Sequence, residues 1–208
     1  MIVLAIDTCG PSGTVALGRV ESGSVALLAQ TELPGKTYSA QLVPAIRTML
    51  AAEGIDAATL DAILVVNGPG SFTGIRVGVS AAKGFAEALS IPLAAVSRLA
   101  VLASKAGTQA AALDAGRKEF YFREDERETL IAFKDLASNP PAVLAVCEPS
   151  VHWSFPDAIL TTPPTAADAL NFAASRLLSG DFADTAPLDG NYVRRSDAEI
   201  FAKTPRKP

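Results

Sequence analysis

A glycine-rich segment that lies between two apolar runs constrains the fold of this chain more than any other feature. Residues 60–67 (LDAILVVN) have the continuous apolar character of a strand that is covered on both faces. Four glycines and a proline follow within residues 67–78 (NGPGSFTGIRVG). Residues 72–89 are rich in helix formers, and residues 91–97 (IPLAAVS) are a further strand candidate. This order predicts a β-loop-α-β unit whose two strands run parallel.

The residues before this unit predict three strands and one helix. A β-branched run, a turn at residues 8–13 and a second apolar run suggest a hairpin. The strands are expected at residues 2–7, 14–20 and 24–33, and the helix at residues 39–54. Ser39 is the expected helix cap, and Gly54 is the expected helix end. A three-stranded meander followed by parallel crossovers is the strand order of the ribonuclease H-like half of actin-like (ASKHA) folds. We therefore expect an α/β fold with a mixed sheet and flanking helices.

The second half of the chain predicts a further, smaller α/β lobe. Four strands are expected at residues 109–115, 119–124, 128–133 and 142–147, and a helix at residues 165–180. We therefore expect an N-terminal domain at residues 1–103 and a C-terminal lobe at residues 104–208. The last segment of that lobe is expected to pack back on the first domain.

Composition limits the classes of function that this chain can have. A formal net charge of -4 over 208 residues lacks the broad basic field of a free-standing nucleic-acid binder, so we expect any contact with RNA to be indirect. No window approaches the roughly 20 apolar residues of a membrane span, and the first residues do not resemble a secretory signal, which predicts a cytoplasmic protein. Cys9 and Cys147 lack CxxC spacing, which predicts two buried thiols rather than a zinc site or a disulfide framework.

The glycine segment has two interpretations, and the residues alone leave both open. A strand that ends in a glycine turn before a helix directs backbone N–H groups and the positive end of the helix dipole at one point, which attracts an anion. The candidate residues for such a nucleotide or anion site are Asp7, Thr8, Gly68, Gly70, Ser71, Thr73, Gly74 and Arg76. Alternatively, Gly74, Gly78 and Gly84 only let the helix lie close to its neighbours.

The common motifs for nucleotide binding and acyl chemistry are not met. No lysine follows a glycine at the P-loop spacing GxxxxGK[ST]. Gly68, Gly70 and Gly74 are one residue too widely spaced for GxGxxG. The next strand ends without an acidic ribose ligand, and Arg98 keeps only an NADP alternative open. Pro69 stands where the nucleophile elbow of a serine hydrolase requires glycine.

Few titratable residues are placed for catalysis. Asp7 ends the first core strand and faces the glycine segment, and Asp114 ends a strand of the second lobe. Each can orient magnesium through water molecules or, alternatively, cap a turn. His152 is the one histidine of the chain, so no pair of histidines is available for a metal, and we expect it in a half-buried loop.

Three strings in the first half of the chain, IDTCGPSGTVAL, VNGPGSFTGIRVG and KGFAEAL, together resemble the bacterial TsaB (YeaZ) family. Weaker similarity continues in ALDAGRKEFYF and YVRRSDAE. Members of this family are the partner subunit of TsaD, the transferase that threonylcarbamoylates the adenosine beside the anticodon of tRNA. The resemblance implies an actin-like fold that has no catalytic centre and no cofactor of its own.

The resemblance also implies the partners of the chain and the surface that meets them. In the family, TsaB pairs with TsaD through two helices of its first domain, the ATPase TsaE joins the pair, and the same surface forms a homodimer when TsaB is alone. By this analogy the interface residues are Leu42, Val43, Ile46, Met49, Leu50, Val77 and Ala81. Their alternative role is in the core of the chain itself. ATP or ADP with Mg²⁺ is an expectation for the assembled complex rather than for this chain.

Two main classes of function stay open at this point. The first, which we favour, is a scaffold subunit that positions and activates a catalytic relative. The second is a stand-alone ATPase or phosphotransferase of actin-like fold that uses Asp7 and the glycine segment. Direct capture of tRNA by a basic C-terminal tail is a third alternative. The basic residues of this tail are Arg194, Arg195, Lys203, Arg206 and Lys207.

Overall fold

A computed structural model describes residues 1–35 and 37–193 of the chain. Its first sheet has five strands in the order β3-β2-β1-β4-β5. These strands are β1 (Ile2–Asp7), β2 (Gly13–Glu21), β3 (Ser24–Leu33), β4 (Ala62–Val66) and β5 (Leu93–Val96). The first three form an antiparallel meander, whereas β1, β4 and β5 run parallel. The predicted mixed sheet is confirmed, and all five residues of β4 are buried between its two parallel neighbours.

Two helices cover one face of this sheet. Helix α1 (Tyr38–Ala52) packs on β2 and β3, and helix α2 (Phe72–Leu89) packs mainly on β4. The predicted cap of α1 is wrong, because the helix begins at Tyr38 and Thr37 precedes it without a side-chain hydrogen bond. The buried Tyr38 ring occupies the first turn instead. The predicted end is confirmed, since Gly54 follows the helix with a φ of +63°.

The second half of the chain forms another five-stranded sheet, in the order β10-β9-β6-β7-β8. Its strands are β6 (Ala110–Gly116), β7 (Glu119–Glu124), β8 (Arg127–Ala132), β9 (Leu144–Val146) and β10 (Ile159–Leu160). Strands β6, β7 and β8 are an antiparallel meander, and β9 and β10 continue parallel to β6. The second sheet therefore repeats the topology of the first, with β6 in the position of β1.

The second half also contains three short helices that the sequence pattern does not predict. They are α3 (Arg98–Lys105), α4 (Phe133–Ser138) and α5 (Pro149–Ser154). Because each has only six to eight residues, none completes enough turns to show a helical repeat in its sequence. His152 consequently lies in α5 rather than in a loop, although it is half-buried as expected.

The last helix, α6 (Ala166–Ser179), covers the face of the first sheet opposite to α1 and α2. It contacts β1, β2 and β3, and the side chain of Leu170 lies beside Gly18 of β2. On the other face, Ile6 of β1 lies close to Gly78 of α2. The first sheet is therefore sandwiched between two helical layers. Within residues 1–35 and 37–193, none of the helices is long and apolar enough to cross a membrane.

Candidate functional site

Backbone hydrogen bonds attach the glycine segment to its surroundings on three sides. The N–H of Ser71 donates to the carbonyl of Cys9 at 2.8 Å, and the N–H of Arg98 donates to the carbonyl of Gly68 at 2.6 Å. The N–H of Asn191 donates to the carbonyl of Asn67, also at 2.6 Å. Gly68 has a φ of +119°, which an L side chain rarely adopts. The segment is thus a fixed connection between the first sheet, α3 and the C-terminal part of the described chain.

Close packing explains two of the helix glycines and fails to explain the third. A β-carbon at Gly74 would overlap the carbonyl oxygen of Thr8, and one at Gly78 would overlap the Thr8 hydroxyl. The Thr8 hydroxyl donates to the carbonyl of Gly74 at 2.6 Å, so α2 touches the end of β1 directly. Gly84 is exposed, and a β-carbon there would meet no atom within 4 Å. The interpretation that the helix glycines permit close packing therefore holds within the chain for Gly74 and Gly78, and not for Gly84.

The polar residues at the start of α2 are engaged locally. Ser71 caps the helix, because its hydroxyl accepts from the N–H of Gly74 at 3.2 Å. The guanidinium of Arg76 lies 3.9 Å from the centroid of the Phe72 ring. Thr73 is exposed on the first turn of the same helix. These contacts stabilise α2, and the anion site proposed for these residues stays a prediction.

A cleft of about 640 Å³ opens between the two lobes, beside the glycine segment. Its walls come from the β1–β2 turn, the segment before α1, the start of α2, the start of α3 and the second sheet. The lining residues are Cys9, Gly10, Pro11, Gly35, Tyr38, Gly70, Ser71, Arg98, Leu113, Asp114, Ala115, Tyr121 and Glu148. Of the eight predicted binding residues, Gly70 and Ser71 therefore reach this cleft.

Asp7 and Arg98 form a buried ion pair beneath the cleft. Asp7 is 2% exposed and Arg98 is 4% exposed, and the Asp7 Oδ2 atom lies 3.8 Å from the Arg98 Nε atom. The other carboxylate oxygen of Asp7 accepts from the N–H of Cys9 at 2.8 Å. Burial raises the pKa of Asp7, and the opposing effects of Arg98 and the Cys9 N–H do not cancel it. Asp7 is thus a desolvated carboxyl group whose charge partner is a side chain of the same protein.

Neither cysteine has the character of a nucleophile. Both are free and buried, as predicted. The Cys9 thiol donates to the carbonyl of Val66 at 3.1 Å, and burial raises its pKa well above the ordinary value. Burial, together with the neighbouring Glu148 carboxylate, raises the pKa of Cys147 to about 12. Both thiols therefore stay protonated near neutral pH.

Glu148, Tyr38 and Asp114 contribute further polar groups to the cleft. Burial raises the pKa of Glu148, which follows β9 and precedes α5. Its Oε2 atom is buried and lacks a hydrogen-bond partner among the described residues. The Tyr38 hydroxyl donates to the carbonyl of Gly10 at 2.8 Å, and burial raises its pKa to about 12. Asp114 caps its own turn, because its carboxylate accepts from the N–H of Gly116 at 2.7 Å.

Arg98, Tyr38 and Glu148 were not among the predicted site residues. A topological signal was available for two of them, since Arg98 follows the carboxyl end of β5 and Glu148 follows the carboxyl end of β9. Each strand runs parallel to a neighbour in its own sheet, and ligand clefts of α/β sheets lie outside the carboxyl ends of such strands. Tyr38 carries no such signal, because the sequence pattern places it in the segment before a helix.

The predicted interface residues divide into two groups. Leu42, Ile46, Met49 and Leu50 are buried in the core between α1 and the first sheet, so the chain already uses them in the alternative role considered above. They do not lie on the outer surface because helical spacing marks the face that meets the sheet. Val43 is 54% exposed, and Val77 and Ala81 are half-buried.

Two further predictions concern metals and nucleic acid. Within residues 1–35 and 37–193, no group of three or more His, Cys, Asp or Glu side chains is placed to hold a metal ion. The basic tail residues Arg194, Arg195, Lys203, Arg206 and Lys207 lie outside the described residues.

Sequence comparisons place the chain among proteins of one pathway. A family model described as TsaD, tRNA N6-adenosine threonylcarbamoyltransferase, matches residues 30–148, which is more than half of the chain. The chain is 31% identical over 206 residues to an uncharacterized protein of Mycobacterium tuberculosis, covering 96% of this chain and 95% of that protein. It is 35% identical over 135 residues to the tRNA threonylcarbamoyladenosine biosynthesis protein TsaB of Haemophilus influenzae, and 33% identical over 134 residues to TsaB of Escherichia coli. Each of these two matches covers 62% of this chain, and they span 55% and 56% of the two TsaB proteins, about half of their length.

Solved structures agree with the sequence comparisons. An uncharacterized protein from Pseudomonas aeruginosa, described as similar to peptidase YeaZ, has a TM-score of 0.78 at 26% identity, over 93% of this chain and 99% of that chain. YeaZ from Pseudomonas aeruginosa has a TM-score of 0.72 at 26% identity, over 92% of this chain and 99% of that chain. The two-lobed, actin-like arrangement of the chain is therefore that of YeaZ.

Proposed function

The chain belongs to the TsaB (YeaZ) family, and from this premise we propose that it takes part in threonylcarbamoyladenosine formation on tRNA as the non-catalytic partner of a TsaD-type transferase. The transferase would modify the adenosine beside the anticodon, in the cytoplasm. The observation that carries this proposal is the similarity to relatives that are named for this pathway. The surroundings of Asp7 support the proposal that the chain has no catalytic step of its own. The surface of α1 and α2 supports the proposal that it binds the transferase.

The surroundings of Asp7 favour a scaffold over a stand-alone ATPase or phosphotransferase. Such an enzyme would use the Asp7 carboxylate to hold a hydrated Mg²⁺ ion beside the phosphates. Here the Arg98 guanidinium already lies beside Asp7, and this guanidinium would repel a cation brought to the carboxylate. The N–H of Ser71 and the carbonyl of Gly68, in the glycine segment, are also already paired within the chain. A single histidine in the whole sequence further limits the metal chemistry available to the chain.

The surface shared by α1 and α2 is the proposed docking site for the transferase. Val77, Ala81 and Phe85 follow one another at four-residue spacing on α2, and each is partly exposed and packs against the core. Phe85 lines an apolar groove of about 410 Å³ together with Val43 and Arg47 of α1. An apolar strip of this kind can pack against a helix of a partner. Val43, at 54% exposure, is the most accessible apolar side chain of this surface.

Co-purification of the chain with the TsaD-type subunit of the same organism tests the proposal, with Val43→Asp as the disrupting variant. Because Ile46 is only 1% exposed, a charge at that position would unfold the chain, whereas Val43 can be changed without entering the core. An unpaired carboxylate in an apolar contact costs about 3 kcal/mol, which weakens binding about hundredfold. Val143→Asp is the matched control, since Val143 is 50% exposed and lies in the other lobe. Equal recovery of the transferase by both variants would refute the proposed surface.

The other partners are proposals that depend on this one. We propose that the α1–α2 surface also forms the homodimer of the isolated chain, so a second copy and the transferase compete for it. A TsaE-type ATPase would join the assembled pair, which is also where ATP or ADP and Mg²⁺ would be bound. The tRNA would be held through the transferase. Sedimentation of the isolated Val43→Asp variant as a monomer, beside a dimeric Val143→Asp control, is the expected result for the homodimer.

A further inference from the structure

Two buried polar atoms without a hydrogen bond lie on the residues that line the cleft between the lobes. Within residues 1–35 and 37–193, the buried side-chain nitrogen and oxygen atoms that lack a hydrogen-bond partner are Nε of Arg98 and Oε2 of Glu148. Both residues line the 640 Å³ cleft. Nε of Arg98 lies 3.8 Å from Oδ2 of Asp7, which is an ion pair but too long for a hydrogen bond. Buried polar atoms in native proteins almost always have a hydrogen bond, so a donor and an acceptor that both lack one at the same cleft indicate a missing binding partner.

The chemistry of the two side chains restricts what this partner can be. A guanidinium only donates hydrogen bonds, and an ionised carboxylate only accepts them. A ligand that pairs both must carry an acceptor at one end and a donor at the other. The two atoms are themselves buried, so we expect the Glu148 side chain to rotate toward the ligand as it binds, while Arg98 keeps its ion pair with Asp7.

The charges around the cleft exclude ligands that carry only one sign of charge. Among the described residues, Asp114 and Glu148 line it and Asp7 lies beneath it, whereas Arg98 is the one cationic side chain in its lining. A simple anion would meet an excess of carboxylates, and a simple cation would leave the Arg98 N–H without a hydrogen bond and be repelled by the Arg98 charge. A ligand with both charges places its anionic group at Arg98 and its cationic group near Glu148 and Asp114.

We propose that the cleft between the lobes binds a small zwitterion, an α-amino acid, whose carboxylate accepts from Arg98 and whose ammonium group donates to Glu148. The cleft has ample room for such a molecule. Burial raises the pKa of Glu148, and a bound ammonium group would offset this desolvation by supplying an opposite charge. The proposal is independent of the docking surface on α1 and α2, which belongs to the first lobe alone.

An NMR titration of the full chain tests this site, with glycine as the zwitterionic probe. Acetate, methylammonium and inorganic phosphate are the matched probes that carry one sign of charge. We expect glycine to shift the backbone amide signals of Gly10, Gly70 and Asp114 in a saturable way, with the matched probes causing little change at the same millimolar concentration. A panel of L-amino acids would then rank the side chains that the cleft accepts.

Two variants with matched controls connect the binding to the two unpaired atoms. Glu148→Gln removes the acceptor charge and is expected to weaken glycine binding about tenfold or more, whereas Glu126→Gln, at an exposed turn, should leave it unchanged. Arg98→Lys keeps the positive charge and removes the planar guanidinium, so it is also expected to weaken glycine binding. Arg127→Lys is its control and should leave glycine binding unchanged. The amide spectrum shows directly whether each variant is folded. If Arg98→Lys is unfolded, the result with Glu148→Gln alone decides whether the proposal stands. Absence of saturable shifts with glycine, equal shifts with acetate or phosphate, or undiminished binding by Glu148→Gln would overturn the proposal.

Discussion

Replacing Gly74 by alanine should destabilise the chain strongly, whereas the same replacement at Gly84 should stabilise it. At Gly74 the new methyl group would overlap the carbonyl oxygen of Thr8, a backbone atom that cannot rotate away. The overpacking that pushes α2 away from β1 costs about 3 kcal/mol of stability. Loss of the hydrogen bond from Thr8 to Gly74 costs about 1 kcal/mol more. Alanine returns about 1 kcal/mol through its better helix propensity. The expected net loss is about 3 kcal/mol.

Gly84 is the matched control within the same helix. Its substitution meets no atom within 4 Å, so only the gain in helix propensity of about 0.5–1 kcal/mol is expected. Urea unfolding followed by circular dichroism measures both variants, and an unchanged m-value would show that the compactness of the two states is unaffected. If Gly74→Ala is as stable as the wild type, or if both variants lose stability equally, close packing of α2 on β1 is not what the glycine requires.

Three further predictions follow from the polar groups of the molecule. Because burial raises the pKa of Glu148, the ionised side chain destabilises the folded state at neutral pH. Glu148→Gln should therefore raise the urea midpoint at neutral pH. This gain should vanish below the ordinary pKa of 4.5, where Glu148 is protonated in the folded and the unfolded chain. Glu128 accepts hydrogen bonds from Ser97, from Arg123 at 3.0 Å and from Asn191 at 2.6 Å, so Glu128→Ala should lose about 3 kcal/mol in urea unfolding, against little change for the exposed Glu124→Ala. Both thiols should react with a thiol reagent in urea and resist it in the native protein at neutral pH, and rapid native labelling would contradict their burial.

The sequence predicted the long elements well because their patterns extend over several turns or strand repeats. Strand β3 and helix α2 have the predicted bounds, 24–33 and 72–89. The short helices α3, α4 and α5 were missed, since one to two turns give no periodic signal. The cap of α1 was misplaced for a different reason. Tyr38 is buried through a hydroxyl contact with Gly10, which is distant in sequence, and local propensity carries no information about it.

The site was less predictable than the fold because its main residues are defined by tertiary contacts. The sequence indicated Asp7 as an acid at the end of a core strand, but not that Arg98, far along the chain, would lie beside it. Similarly, helical spacing identified Leu42 and Ile46 as apolar without indicating whether a sheet or a partner covers them. Val43 is exposed whereas Leu42 and Ile46 are buried, and the structure was needed to establish this difference.

Reconstitution of tRNA modification tests whether this chain acts by docking onto a transferase and performs no chemistry itself. Threonylcarbamoyladenosine formation is measured with the chain alone, with the TsaD-type subunit and the rest of its pathway alone, and with both together. We expect product only when both are present, with Val43→Asp needing about a hundredfold higher concentration than Val143→Asp to support it. Product formation or ATP turnover by the pure chain at an enzymatic rate, about 1 s⁻¹ or faster, would contradict it.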